Sequence, residues 1–173
     1  LLSVLDRTVT PGGARLLDRR LSSPSRMLEV VNSRLDAAGF FHAEAALRRR
    51  VRDDLRKVPD IDRALSRLSL DRGGPRDLAA IRNGLSQAAI LADALGKHDL
   101  PEVLASAAED MTGHDALIER LDTALVAEPP LLLRDGGFVV AEHDPDLDEA
   151  RQLRDEGRGV IARMQKKFVT DTG

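Results

Sequence analysis

Apolar residues in this chain recur every three or four positions, and this spacing restricts the possible folds more than any other feature. In the stretch that begins at Pro75, the recurring positions are Leu78, Ile81, Leu85, Ala89 and Ala92. Side chains at these intervals lie on one face of an α-helix. Leu, Ala, Arg, Asp and Glu dominate the composition, whereas β-branched residues are sparse, which is typical of helical proteins. The sequence therefore predicts an all-α fold.

Proline, glycine and capping residues divide most of the chain into about seven predicted helices. Thr10 is placed to cap the first of them, with Pro11 at the first helical position, where proline is favoured. Thr112 and Asp115 have the spacing of a capping box, which predicts another helix start. The predicted helices begin near Thr10, Ser25, Ala43, Pro59, Pro75, Asp99 and Thr112. Together they predict an irregular multi-helix domain.

The helical spacing disappears in residues 129–144, PPLLLRDGGFVVAEHD. This stretch predicts a turn at Asp135-Gly136-Gly137, with a short β-like pair between residues 131–133 and 138–140. A long final helix follows, and we expect Asp144 to cap it and Pro145 to be its first residue. We expect this helix to project from the rest of the chain. The predicted domains are therefore residues 1–143 and residues 144–173.

The apolar faces of the predicted helices also indicate which side chains form the core. The predicted core residues are Leu16, Leu17, Val31, Leu35, Leu65, Leu68, Leu78, Ile81, Leu85, Leu117 and Leu121. Within the final helix, Gly157 and Gly159 weaken the helical backbone, and we predict that they let it bend.

The composition excludes several classes of function. The chain has no cysteine, so it forms no disulfide and offers no thiol nucleophile or cysteine metal site. Aromatic residues make up 2% of it, which argues against a surface that stacks nucleic-acid bases. No apolar run approaches the roughly 20 residues of a membrane helix. The chain does not begin with Met, and we expect it to be a piece of a longer protein.

The basic run RRRVRDDLRK, residues 48–57, raises the possibility of nucleic-acid binding. Asp53 and Asp54 interrupt it, however, and the period of a helix spreads its arginines over more than one side. The net charge of the chain is only -3, with charges of both signs intermixed. We therefore expect a solvated or interdomain face. Lys166 and Lys167 form a weaker basic signal, and DNA-binding residues stay unknown.

Two acidic stretches contain candidate chemical groups. In DIDRALSR, residues 60–67, two acids and two arginines at helical spacing form either an acid/base site or ion pairs, and we expect ion pairs. In EHDPDLDE, residues 142–149, His143, Asp144, Asp146 and Asp148 are possible metal ligands. The stretch lacks the EF-hand glycine and final glutamate, and helix capping accounts for its acids. No phosphate-binding glycine motif occurs. The sequence thus predicts no catalytic, cofactor-binding or metal-binding residue.

Four stretches carry motifs that resemble a known family. They are SVLDRTVTPGGARLLDRRLSSP at residues 3–24, VNSRLDAAGFF at 31–41, DIDRALSRLSLDRGGPRDLAAIRNGL at 60–85 and EPPLLLRDGGFVVAEHDPDLDEAR at 128–151. The first is similar to L-D-x-T-x-T-x-x-G-x-R-L-L, the third to D-[IL]-[ED]-R-x-L-x-R-L followed by P-R-D-L. The last is similar to P-P followed by R-D-G-G and L-D-E-x-R. In this order they resemble the core, or lever, domain of the MutS family of DNA mismatch-repair proteins.

The resemblance implies a mechanical rather than a chemical role. In that family, long helices of the lever lead to a clamp around duplex DNA, and a separate ATPase domain binds ATP and Mg²⁺. It implies a bacterial, cytoplasmic parent protein that is a homodimer, works with MutL and acts on mismatched DNA. The clamp, ATPase and mismatch-reading domains lie outside this sequence, so none of their functional residues maps here. Two alternatives stay open: a lever of a MutS-like recombination protein, and a helical scaffold or adaptor with no DNA role.

Overall fold

The structure, a computed structural model, is all-α and describes residues 2–172, with side chains described up to residue 170. Its α-helices are α1 (Leu2–Leu5), α2 (Pro11–Ser22), α3 (Leu28–Ala43), α4 (Ala45–Leu55), α5 (Ile61–Ser69), α6 (Pro75–Leu95), α7 (Glu102–Asp110), α8 (Asp115–Ala124) and α9 (Pro145–Thr172). A short 3-10 helix spans Leu133–Asp135. No strand occurs within residues 2–172, which confirms the predicted fold class.

Several helix starts follow from the capping residues that the sequence indicates. The Thr10 hydroxyl oxygen accepts a hydrogen bond from the Gly13 N–H at 3.0 Å, with Pro11 at the first position of α2. Asp144 accepts from the Leu147 N–H at 3.0 Å and caps α9. At the start of α6, the Asp77 carboxylate accepts from the Gly74 N–H at 2.8 Å. These contacts satisfy N–H groups that the first helical turn leaves without partners.

Two other helix starts differ in detail from the prediction. The second helix, predicted to run from about Ser25, begins three residues later at Leu28, and its N-cap residue Met27 makes no side-chain capping bond. Thr112 does not cap α8, because its hydroxyl donates back to the Glu109 carbonyl oxygen at 2.8 Å. That hydroxyl completes the end of α7, and α8 begins later, at Asp115. A threonine between two helices can serve either one, and spacing alone does not decide which.

The predicted β-like pair is also wrong. Residues 133–135 form the 3-10 helix, in which the Asp135 and Gly136 N–H groups donate to the Leu132 and Leu133 carbonyl oxygens at 3.1 and 3.2 Å. The Phe138 carbonyl oxygen instead accepts from the Val126 N–H at 3.0 Å. A turn does form at the predicted glycines: Gly136 and Gly137 have φ of 64° and 69°, which residues with a side chain rarely adopt.

The core lies around α4 and the second half of α6. Leu47 and Val51, one turn apart on α4, pack with Leu91 and Leu95 of α6 and with Ala108 of α7. Partly buried side chains surround them: Phe40, Phe41, Leu55, Val58, Leu100 and Met111. Burial of these apolar surfaces is the main stabilising contribution in such a domain.

The predicted core differs from this one. Ile81 is buried, and the half-buried residues of the prediction are Leu16, Leu17, Leu68, Leu78, Leu85 and Leu121. Val31, Leu35, Leu65 and Leu117 are exposed, so their assignment to the core is wrong. Spacing shows which residues share one face of a helix, but it does not show which face meets another helix. On α3, Phe40 and Phe41 contact the core instead of Val31 and Leu35.

Helix α5 lies very close to α6 because of one glycine. A Cβ atom built on Gly84 would overlap the Cγ1 and Cδ1 atoms of Ile61. Ala64, which follows Ile61 by three residues on α5, is also buried. Small residues at a helix crossing let the two backbones approach closely, so Gly84 positions α5 on α6.

The contacts divide the chain into one unit that ends at Phe138 and a second that begins at Val139. In the second unit, Arg151 of α9 donates to the Val139 carbonyl oxygen at 2.7 Å and to Asp148 at 2.8 Å. Asp148 in turn accepts from the Glu142 N–H at 2.6 Å. The domain boundary after residue 143 and the projection of α9 stay predictions.

Candidate functional site

Four arginines connect successive helices of the first unit, and all four belong to the motif stretches of the sequence. We call Arg15, Arg67, Arg76 and Arg82 the arginine network. Arg15 lies on α2, Arg67 on α5, and the other two on α6. Each donates to a group on another helix or on the segment after α8. The network thus runs from α2 through α5 and α6 to residues 126–129.

The first connection joins α2 to α5. The two terminal nitrogens of Arg15 donate to the two carboxylate oxygens of Asp60 at 2.9 and 2.7 Å, and one of them also donates to Asp62 at 3.0 Å. Asp60 is also the N-cap of α5 and accepts from the Arg63 N–H at 3.3 Å. A bidentate arginine–carboxylate pair fixes orientation as well as distance.

These contacts change the ionisation of both partners. The hydrogen bonds from Arg15 lower the pKa of Asp60 below its ordinary value, with smaller contributions from the Arg63 N–H and from nearby positive charge. Hydrogen bonding to Asp60 raises the pKa of Arg15, and Asp62 adds to this effect. Both groups therefore stay charged near neutral pH, and the connection between the helices persists there.

The second connection joins the end of α5 to the start of α6. Arg67 donates from Nε to the Asp77 carboxylate at 3.1 Å and from a terminal nitrogen to the Arg72 carbonyl oxygen at 2.9 Å. Asp77 is the residue that caps α6 through the Gly74 N–H. The Asp77 carboxylate therefore caps α6 and also binds Arg67 of α5.

The third connection joins α6 to the segment after α8. Arg82 is 7% exposed and donates to the Ala127 and Val126 carbonyl oxygens at 2.9 and 3.4 Å. Arg76 donates to the Pro129 carbonyl oxygen at 3.2 Å. A buried guanidinium needs such partners, since leaving a buried charge without them costs several kcal/mol.

The structure brings the DIDRALSR residues together as the sequence predicts. Asp60, Asp62 and Arg67 form ion pairs between helices, which confirms the ion-pair interpretation. Arg63 lies beside them in a cleft of about 390 Å³ that Arg76 and Leu131 also line. The carboxylates that line this cleft, Asp60 and Asp77, both accept hydrogen bonds from arginines of other helices.

The basic run of α4 is largely engaged within the chain. Arg48 donates to the Phe41 and His42 carbonyl oxygens, and Arg52 donates to the Arg7 carbonyl oxygen at 2.8 Å. Lys57 pairs with Asp54 at 2.8 Å. These contacts use part of the basic run inside the chain, and its assignment to a solvated or interdomain face stays a prediction.

The EHDPDLDE stretch serves the start of α9. Asp144 caps the helix, and Asp148 binds Arg151 and the Glu142 N–H. Within the described part of the chain, no group of three or more His, Cys, Asp or Glu is positioned to hold a metal ion. Helix capping, the interpretation favoured from the sequence, accounts for these two acids.

Sequence reasoning did not find most of the arginine network. The partners of Arg76 and Arg82 are backbone carbonyl oxygens, which any residue type supplies, so no pairing pattern exists in the sequence. One signal is present: Arg82 directly follows Ile81 in the apolar pattern of α6. That position indicates a charged side chain close to the buried face.

Comparison with known proteins identifies the family of this chain. The sequence profile described as MutS domain III matches residues 1–171. The chain belongs to the MutS domain III family, which confirms the resemblance that the four motif stretches carry. Over its full 173 residues it is 62% identical to the DNA mismatch repair protein MutS of Roseobacter denitrificans. It is 62% identical to the MutS of Ruegeria pomeroyi and 60% identical to that of Paracoccus denitrificans.

The chain covers 20% of the length of each of these relatives. Its 173 residues contain no phosphate-binding glycine motif. The helices within residues 2–172 do not combine the length and hydropathy that a membrane crossing requires.

Proposed function

We propose that this chain is the lever segment of a MutS-type DNA mismatch-repair ATPase, and that it couples the ATPase domain of the parent protein to the DNA clamp. One observation carries the proposal: the arginine network ties α5, α6 and the segment after α8 into one connected body, and Arg15 connects α2 to that body. The names of the relatives support the setting, since each is a DNA mismatch repair protein.

Mechanical coupling needs stiff elements with fixed connections. An α-helix has continuous internal hydrogen bonds and rises 1.5 Å per residue, so the 28 residues of α9 extend roughly 42 Å. The bidentate contact of Arg15 and the buried contacts of Arg82 resist rotation at the connections between shorter helices. A displacement at one end of such a body is carried to the other end instead of being absorbed locally.

The parent's chemistry and partners come from the family and not from residues of this chain. We propose that the parent is a cytoplasmic homodimer that binds ATP and Mg²⁺, contacts mismatched duplex DNA and works with MutL. The family match and the names of the relatives support mismatch repair over the recombination and scaffold alternatives.

Coupling is tested in the full-length parent protein with Arg67→Gln, because Arg67 links α5 to α6 from an exposed position. Arg63→Gln is the matched control: it makes the same change on the same helix, and Arg63 has no ion pair within the described residues. We expect Arg67→Gln to keep mismatch binding and ATP hydrolysis but to slow ATP-triggered release from mismatched DNA several-fold. Arg63→Gln should match the wild type.

Two results would contradict the proposal. Equal release rates for Arg67→Gln, Arg63→Gln and the wild type would remove the network from the coupling. Tight, mismatch-specific DNA binding by residues 1–173 alone would make the segment a reader of DNA instead of a lever. We expect weak and salt-sensitive binding at most.

A further inference from the structure

The first 21 described residues are attached to the other helices of the first unit, which we call the helical body. Their contacts differ from those that hold that body together. We call residues 2–22, which contain α1 and α2, the N-terminal segment. Neither helix has a buried residue. Leu16, Leu17 and Leu21 are half-buried, whereas α4 and α6 contribute the fully buried Leu47 and Leu91. The segment therefore gains less from apolar burial than the helices of the core.

Two arginine contacts connect the N-terminal segment to the body. Arg15 makes its three hydrogen bonds to Asp60 and Asp62 at the start of α5. Arg52 of α4 donates to the Arg7 carbonyl oxygen at 2.8 Å. Arg15 is 48% exposed, Asp62 is 78% exposed and Asp60 is 21% exposed, so this contact is open to solvent on the Arg15 side. Contacts of this kind weaken as salt concentration rises.

The other hydrogen bonds that the structure describes for the segment are made within it or with the adjacent Ser23. Asp6 accepts from the N–H and the hydroxyl of Thr8 at 2.9 and 2.6 Å. Thr10 caps α2 through the Gly13 N–H, and the Ser23 N–H ends the helix by donating to the Arg19 carbonyl oxygen at 2.9 Å. Residues 24–27 are not helical. The segment can thus separate from the body without breaking hydrogen bonds of the other helices. Once it is separated, α2 is a 12-residue helix without tertiary contacts, and because isolated helices of this length are marginal in water, its amides then exchange.

We propose that Arg15 is an electrostatic latch: the N-terminal segment opens from the helical body as a separate unit when the contacts of Arg15 with Asp60 and Asp62 break, while the body stays folded. This inference goes beyond the proposed function and does not depend on it, since it concerns the chain alone. Units that open below the free energy of global unfolding are those with little buried apolar contact.

The experiment is native-state hydrogen exchange on residues 1–173, read separately for the amides of residues 14–22 and for those of α6. Arg15→Gln removes the latch, and Arg19→Gln is the matched control on the same helix, because the structure shows no ion pair for Arg19 within the described residues. Asp60→Asn tests the other partner and preserves the N-cap, since asparagine caps helices as well as aspartate does.

We expect Arg15→Gln to speed exchange in residues 14–22 about tenfold and to leave α6 unchanged. Asp60→Asn should act in the same direction, and Arg19→Gln should change neither region. In the wild type, an increase from about 0.1 M to about 1 M NaCl should speed exchange in residues 14–22 but not in α6, because screening acts on the exposed contacts.

Each contrary outcome overturns the latch. Unchanged exchange of residues 14–22 in Arg15→Gln shows that other contacts hold the segment. An equal increase in residues 14–22 and α6, or a variant that fails to fold, shows that Arg15 belongs to the global fold. Salt-independent exchange of residues 14–22 in the wild type shows that the attachment is not electrostatic.

Discussion

Arg82 donates to the Ala127 carbonyl oxygen at 2.9 Å from a position only 7% exposed to solvent. Its guanidinium also lies 3.6 Å from the exposed carboxylate of Asp122. This buried charge ties the middle of α6 to the segment that follows α8. Because its main partners are carbonyl groups of the backbone, the contact fixes the path of the chain rather than a particular side chain.

Arg82→Met should destabilise the domain by about 2–3 kcal/mol, since it removes the charged hydrogen bonds from the buried guanidinium to the Val126 and Ala127 carbonyl oxygens. Urea denaturation followed by circular dichroism measures the change. Arg49→Met, at an exposed position on α4, is the control and should change stability by less than about 0.5 kcal/mol. A loss no larger than the control's would show that Arg82 contributes nothing beyond its packing.

Gln87→Met should stabilise the domain by about 1 kcal/mol. The Gln87 side chain is buried, and its amide nitrogen has no hydrogen-bond partner within the described residues. Burial without a partner costs free energy, and methionine has a similar length without a donor. The urea midpoint gives the change, with Ser86→Ala as the comparison, because the Ser86 hydroxyl has a partner in the Arg82 carbonyl oxygen. A lower midpoint for Gln87→Met would mean that the amide is satisfied in solution.

Two glycine substitutions should have opposite effects although both lie inside helices. Gly39→Ala on α3 should stabilise by about 0.5–1 kcal/mol, because no atom lies within 4 Å of the new Cβ and alanine favours helix. Gly84→Ala should destabilise by about 1–2 kcal/mol, because its Cβ overlaps Ile61. Thermal unfolding of both variants tests this pair.

The Ile61→Ala background separates the overlap from helix propensity. Removal of the Ile61 Cγ1 and Cδ1 atoms should convert Gly84→Ala from destabilising to neutral or stabilising. If Gly84→Ala lowers the free energy of unfolding equally with and without the Ile61 side chain, overlap with Ile61 is not the cause of the destabilisation.

The contact between Arg15 and Asp60 should make stability depend on acid pH. Since the hydrogen bonds from Arg15 lower the pKa of Asp60 in the folded state, the carboxylate stabilises the fold above its unfolded pKa of about 3.9. That contribution is lost as pH falls through the lower pKa of the folded state. Urea midpoints from about pH 6 down to about pH 2.5 should therefore fall less steeply in Asp60→Asn than in the wild type. Parallel curves would show that Asp60 makes no pH-dependent contribution.

The sequence predicts local structure better than it predicts packing. Thr10, Pro75 and Asp144 start helices as expected, because capping depends on a few neighbouring residues. Val31 and Leu35 share a face with helical spacing, yet both are exposed, because the choice of buried face depends on distant helices. The ion pairs of Asp60 and Arg67 were predictable in kind, but their partners Arg15 and Asp77 are set by the fold.

The leucines at residues 131–133 show the same limit. Their apolar run suggests a strand, and the two glycines with positive φ that follow suggest a hairpin. In the structure, the Asp135 and Gly136 N–H groups donate to the Leu132 and Leu133 carbonyl oxygens and form a 3-10 turn. These two carbonyl groups are used in the turn and not in pairing with residues 138–140. Short apolar runs of this kind do not distinguish strand from turn by periodicity.

The fit of Ile61 over Gly84 has a consequence for how this domain is able to rearrange. A shift of α5 along α6 by one helical turn would place Ile61 against Ala80 or Ala88, and both carry the Cβ atom that Gly84 lacks. The same shift would separate Arg67 from Asp77. Sliding of one helix past another, a common means of switching in proteins, is thus blocked at this crossing. Helices α5 and α6 therefore move together, and any bending occurs in the non-helical segments that connect them to the neighbouring helices.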